Sequence, residues 1–189
     1  MRICIFGASG DAIDPVYKDE TFAVGKALAE RGHSLIFGGG SHGLMGAAAR
    51  GFTAGKGKIV GVAPRFFDIP GVLYEACDEF VWPDSMRDRK KYMEDHADAF
   101  LVAPGGIGTY EEFLEVLTLK QLARHGKPIV LFNINGFFDK LTDLIAADTA
   151  AGFIRKQTME LFDLADDVPS ALLLLERDAV DTDTIRFYD

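Results

Sequence analysis

Apolar residues along this chain come in two rhythms. Short runs, "RICIF", "SLIFG", "KIVGVAP", "DEFVW", "DAFLVAP" and "KPIVLFN", alternate with amphipathic stretches over 15–31, 44–54, 85–96, 109–125 and 137–151. The runs are too short for helices and mostly rich in Ile, Val and Phe, which predicts buried strands. The longer stretches repeat their apolar positions at helical spacing. Strict βαβα alternation predicts a parallel sheet with helices on both faces. With right-handed crossovers the result is an α/β fold, a doubly wound Rossmann-like single domain with its ligand crevice at the carboxyl ends of the strands. "MELFDLAD" adds one more candidate strand, and "VPSALLLLE" predicts a closing helix capped by Asp167 with Pro169 early in it. The domain spans 1–176. The tail 177–189 has no usable periodicity, and the pattern leaves open whether it is disordered or packs on a partner chain.

The stretch after residue 108 differs from the other helices. Phe113, Leu114, Val116, Leu117, Leu119, Leu122 and Ala123 point in nearly every direction around its axis. A helix apolar all round must be covered all round. The sheet covers one side; the other is covered either by neighbouring helices or by a second subunit.

Composition narrows the partners. The chain has 189 residues, 48% hydrophobic and 26% charged, an ordinary folded composition. Its 29 acids against 20 bases leave a formal charge of -9. That balance speaks against duplex DNA or an anionic membrane, both of which reward basic surfaces. A small anion remains possible where cations gather locally. Cys4 and Cys77 are far apart, and neither they nor His33, His42, His96 and His125 show metal-ligand spacing. The expectation is no metal and no cofactor. With no secretory leader and no long apolar segment, the expected location is cytoplasmic.

Three strand ends carry candidate chemistry. In "IFGGGSHGLMGAA", Gly38, Gly40 and Gly43 satisfy GxGxxG, a dinucleotide signature. It follows the second strand rather than the first, and the next strand ends in Ala63 and Pro64 where a ribose-binding acid belongs, so a dinucleotide is disfavoured. In "DAFLVAPGGIGT", Gly105, Gly106 and Gly108 precede a helix whose first amides would face an anion. Neither turn is a GxxxxGK[ST] loop, which speaks against a triphosphate site. Thr109 and Glu112 have the spacing of a capping box, a purely structural use for that glutamate. Glu111 has a structural use too, as a first-turn acid. In "DSMRDRKKYME", Arg87, Lys90 and Lys91 share one helical face while Arg89 points elsewhere. This basic run starts at the same sheet edge as the glycine turns.

Together "GGGSHGLMGAAA", "MRDRKKYM", "PGGIGTYEEF" and "KPIVLFNINGFFDKL" resemble the Lonely Guy (LOG) family. Its members are phosphoribohydrolases of nucleoside 5'-monophosphates, cytokinin riboside monophosphates among them; older descriptions called many of them lysine decarboxylases. The likeness runs from Arg2 to Phe162, and PGGxGTxxE matches Pro104 through Glu112 without a gap. The resemblance implies that Arg89 is catalytic and that the catalytic glutamate lies in the Glu111–Glu112 pair, Glu112 being the motif's terminal acid. It places the phosphate on Gly105, Gly106, Ile107, Gly108 and Thr109, helped by Gly39 and Gly40, with Met86 and Lys90 also at the substrate. It further implies a homodimer or larger homo-oligomer with active sites near the subunit interface. Arg87 and Asp88 replace the family's usual His and Glu, and "FGASGD" lacks the usual cysteine; these departures bear on base preference.

An anion seat next to two carboxylates is explicable on this chemistry. Breaking an N-glycosidic bond develops positive charge on the sugar while the phosphate stays negative, so amides serve one end and a carboxylate the other. The competing reading is a non-enzymatic nucleotide or cofactor carrier of the same fold, such as the molybdenum-cofactor carriers, in which the glutamates only cap. Arg89 together with Glu111 and Glu112 favours the enzyme. Lysine decarboxylation comes third, because no lysine sits in a convincing Schiff-base context.

Overall fold

The computed structural model describes residues 1–185. Seven parallel strands form one sheet in the order β4-β3-β2-β1-β5-β6-β7. They are β1 (Arg2–Phe6), β2 (Ser34–Phe37), β3 (Ile59–Val62), β4 (Glu79–Val81), β5 (Ala99–Val102), β6 (Ile129–Phe132) and β7 (Asp163–Ala165). Six helices connect and flank them: α1 (Pro15–Glu30), α2 (Gly43–Ala54), α3 (Met86–His96), α4 (Ile107–Gln121), α5 (Asp139–Ala150) and α6 (Val168–Leu175). The expected doubly wound α/β single domain is what forms. Each predicted run contains a strand, and the inner strands are buried on both faces.

Alternation within those runs sorts the core into two layers. Ile3, Ile5, Leu35, Phe37, Leu101 and Phe132 pack with Val24, Leu28, Phe52 and Leu175 on the α1, α2 and α6 side. Cys4, Phe6, Ile36, Phe100, Val102 and Leu131 pack with Met93, Phe113 and Phe138 on the α3, α4 and α5 side. β1 is the central strand, with β2 on one side and β5 on the other. Chain direction across the sheet reverses there, so the β1 and β5 turns diverge and leave a crevice above their carboxyl ends.

Two expectations at helix ends change. The α4 helix starts at Ile107, with Gly106 as its N-cap and no side-chain cap, so the Thr109–Glu112 capping box does not form. Thr109 lies inside the first turn, where its backbone is already helical and cannot serve as a cap. The same helix stops at Gln121 rather than continuing to His125, because Ala123 takes a left-handed conformation with φ 55°. At the closing helix, Asp167 does cap α6, in a reciprocal box with Ser170. Of the tail, residues 177–185 are described; the Val180 N–H donates to the Gly126 carbonyl at 2.8 Å, so this part docks on its own chain. Residues 186–189 lie outside the described residues. Among the described residues no helix is long and apolar enough to cross a membrane.

Candidate active site

A cavity of about 560 Å³ opens above the carboxyl ends of β1, β2 and β5. Its floor comes from three turns: Gly7, Ala8 and Ser9 after β1, Gly38 and Gly40 after β2, and Gly106 to Thr109 at the start of α4. The two glycine-rich turns, alike in sequence, differ in what their helix amides do. At α2 the Leu44 and Met45 N–H groups both donate to the Ala8 carbonyl, at 2.8 and 3.3 Å, and the Gly43 N–H donates to Asp11 at 2.9 Å. Gly43 takes φ 59°, and a Cβ there would collide with that same carbonyl, so the residue must be glycine. The α2 amides are therefore spent on the fold. At α4 no side chain caps the helix, and its first turn lines the cavity with amides that helical geometry leaves without an internal partner. Of the two turns, the one at 106–109 is the one whose helix amides stay open to the cavity.

Arg89 lies beneath this floor. It is 8% exposed, its Nε donates to the Val62 carbonyl at 3.1 Å, and its guanidinium fills the space in front of Gly38, where any Cβ would overlap it. One guanidinium nitrogen stands 3.5 Å from Glu112 Oε1. Burial pushes the Glu112 carboxyl up to about 7 even though Arg89 pulls the other way; Glu111 and Glu115 add to the rise. A carboxyl so placed exchanges protons near neutrality, the range that suits a general base or a charge-balancing group.

The structure separates the two adjacent glutamates. Glu112 lines the cavity, whereas Glu111 is exposed on the outer side of α4 and pairs with Lys90, which also holds Glu115 at 2.5 Å. Of the other residues singled out in the sequence, Gly40, Gly106, Ile107, Gly108 and Thr109 line the cavity with Arg89. Gly39, at φ 78°, packs against the Phe80 ring; Gly105 lies behind Thr109; Met86 is exposed on the first turn of α3. These last three, with Lys90 and Glu111, stand outside the lining.

Sequence reasoning passed over the opposite wall. Met45, Phe67, Val72 and Leu73 make it apolar, and three of the four come from the loop between β3 and β4. Its signal was legible as "RFFDIPGVLY", apolar residues in a segment with neither strand nor helix period. Arg65 stacks over Trp82 at 5.0 Å and anchors the loop's 3₁₀ turn Arg65–Phe67. His42 and Ser9 also line the cavity and were likewise not singled out. Among the described residues no group of His, Cys, Asp or Glu has the arrangement of a metal site.

A family model described as "Possible lysine decarboxylase" matches residues 45–175, from α2 through α6. Cytokinin riboside 5'-monophosphate phosphoribohydrolase LOG2 of Arabidopsis thaliana is 36% identical over 175 residues, 93% of this chain and 82% of that protein. LOG of Oryza sativa subsp. japonica, of the same descriptive name, is 37% identical over 175 residues, 93% of this chain and 72% of its own. The chain belongs to the Lonely Guy (LOG) family. Solved structures add the fold of this LOG-family chain. The molybdenum cofactor binding protein from Rippkaea orientalis superposes with TM-score 0.70 at 20% identity, covering 93% of this chain and 94% of that one. The molybdenum cofactor carrier protein from Chlamydomonas reinhardtii gives 0.70 at 24%, covering 91% and 93%.

Proposed function

We propose that this LOG-family protein hydrolyses the N-glycosidic bond of a nucleoside 5'-monophosphate, AMP or a cytokinin riboside 5'-monophosphate, to free base and ribose 5-phosphate. The observation that carries the reading is the buried Arg89–Glu112 pair, set between an uncapped helix start and an apolar wall. The 5'-phosphate sits on the amides of Gly106 to Thr109, where the helix dipole adds to the hydrogen bonds. The base lies against Met45, Phe67, Val72 and Leu73. That leaves the sugar over Glu112. As the C1'–N bond stretches, its electron pair goes to the base and positive charge grows on the sugar, facing the Glu112 carboxylate. The same carboxylate orients a water and takes its proton as the water oxygen bonds to C1'. Arg89 holds Glu112 in place and offsets the cost of burying its charge. Glu111, through Lys90, keeps α3 and α4 in register.

Two other readings are less well supported. Schiff-base decarboxylation needs a nucleophilic amine, and no lysine is among the described residues lining the cavity. The carrier reading rests on likeness at 20 to 24% identity, which speaks to the fold alone. We further propose a homodimer or larger assembly seated on the outer face of α4, where Ile107 is 84%, Leu114 46% and Leu122 39% exposed. The charge of -9 disfavours nucleic acid as a partner, and two unpaired cysteines suit the reducing cytoplasm. Incubation with AMP, adenosine and ATP, followed by chromatography, tests the activity. Free adenine from AMP and from neither control is the expected result; intact AMP and intact prenylated AMP would move the reading to the carrier.

A further inference from the structure

The apolar wall of the cavity is a loop, and a loop must be held in place to act as a wall. Most of its attachments run to the turn after β2. The Ser41 N–H donates to the Val72 carbonyl at 2.9 Å, and the Ser41 hydroxyl shares its one hydrogen between the Gly71 and Val72 carbonyls, at 2.7 and 3.1 Å. Gly40 and Leu73 form an isolated antiparallel bridge, and the Tyr74 N–H donates to the Gly39 carbonyl at 2.8 Å. None of these bonds changes with pH.

One further attachment does. His42 Nδ1 lies 2.7 Å from Asp11 Oδ2, and His42 Nε2 lies 3.0 Å from the Gly71 carbonyl oxygen. A carboxylate and a carbonyl can only accept, and a neutral imidazole has one N–H to give. Only the doubly protonated ring satisfies both partners at once. Asp11 stays ionised to serve it: the Gly43 N–H, and His42 itself, hold its carboxyl below the usual carboxylate range. The charged groups around the ring are Asp11 from the β1–α1 loop, Lys18 of α1, which pairs with Asp11 at 3.5 Å, and Arg50 of α2, which donates to the Ser41 carbonyl at 3.0 Å. The wall loop presents the ring with the Gly71 carbonyl. When the ring loses a proton, the N–H facing Asp11 has the charged partner and is kept, so the bond to Gly71 is the one lost.

We propose that His42 is a protonation-dependent clasp, a positioning residue whose imidazolium ties the β3–β4 loop to the β1–α1 loop and holds Phe67, Val72 and Leu73 over the substrate. Histidine is the side chain that gains a second ring N–H by protonation under mild conditions, which is the donor the Gly71 carbonyl requires here. His42 and Asp11 are both more than half exposed, which keeps the contact weak and reversible. Only the kinetic part of the test rests on the nucleotide-hydrolase reading.

The test follows the free protein by NMR from pH 5.5 to 8, recording the His42 ring nitrogens and the Val72 amide, whose peptide contains the Gly71 carbonyl. The expected result is that the Val72 amide moves in step with the ring and that His42→Gln removes the movement. A Val72 amide indifferent to the ring's titration would overturn the clasp. In the kinetic arm the KM for AMP of His42→Gln relative to wild type should be raised roughly two- to tenfold at pH 6 and approach equality at pH 8, the effect falling on KM rather than kcat. An equal ratio at both pH values assigns His42 a merely structural role and also overturns it. Should the wild type leave both AMP and prenylated AMP intact, the hydrolase reading falls, while the ring-to-amide correlation still decides the clasp.

Discussion

On the proposed mechanism Glu112 concentrates the chemistry and its cost. Its carboxyl is raised from 4.5 to about 7 in the folded chain, chiefly by burial. A group whose folded value lies above its unfolded one stabilises fully below the unfolded value and loses that contribution as pH rises through the folded one. The wild-type thermal midpoint should therefore fall between pH 5 and 8. Glu112→Gln should show a smaller fall, because Glu94, also raised to about 7 by burial and by Glu115, remains in both proteins, while His125, lowered from 6.5 to about 4 by burial, works in the opposite direction in both. The same substitution should lower kcat by about 10²-fold or more, and wild-type kcat/KM should climb through about pH 7 as the carboxylate forms. Melting curves at several pH values and steady-state rates check both halves; a variant that keeps its rate would remove Glu112 from the mechanism. Which of the two adjacent glutamates faces the ligand was not legible in "GTYEEF". The resemblance placed the glutamate in the pair, with Glu112 as the motif's terminal acid, and only the phase of α4 against the sheet turned Glu112 inward and Glu111 out to Lys90.

At the scale of elements, the site is a seam between β2 and α3. Arg89 reaches the floor because the end of β2 presents a residue without a side chain at Gly38. Gly38→Ala should displace the guanidinium and leave Glu112 without its partner. The expected outcome is a loss of turnover approaching that of Arg89→Ala, with circular dichroism unchanged, since the clash falls on the far end of one side chain and not on the backbone. An alanine variant with full activity would show that Arg89 does not need its seat. The helices and strands themselves were legible from periodicity, because each carries one repeating burial pattern. The wall loop showed only as the apolar stretch "RFFDIPGVLY"; with no period to follow, nothing in the chain gave its direction until Ser41 and His42 bind it over the cavity.

For the whole molecule, the exposed apolar stripe of α4 leaves a surface that water disfavours. Leu114→Glu should convert the proposed assembly to a monomer in light scattering at micromolar concentration, with the fold retained, because Leu114 makes no part of the buried core. Retention of the wild-type mass would place the interface elsewhere. The sequence posed this as a choice between burial under neighbouring helices and burial by a second subunit. Within the chain, Phe113, Val116 and Leu117 are covered while Leu114 and Leu122 are not.

What the sequence determined by itself is whatever repeats or reads locally: the alternation of strand and helix, the two-sided burial of the sheet, the glycine turns at strand ends, and a family signature spread from Arg2 to Phe162. What only the tertiary structure decided is how distant segments meet. It consumed the α2 amides on Ala8 and left those of α4 open, although the two turns look alike in sequence. It brought Arg89 to Glu112 across 23 positions of chain, raised that carboxyl by burial, and stretched the β3–β4 loop across the cavity from the turn after β2. Hydrogen-bond accounting and desolvation depend on every neighbour in space, and a linear chain does not list those neighbours.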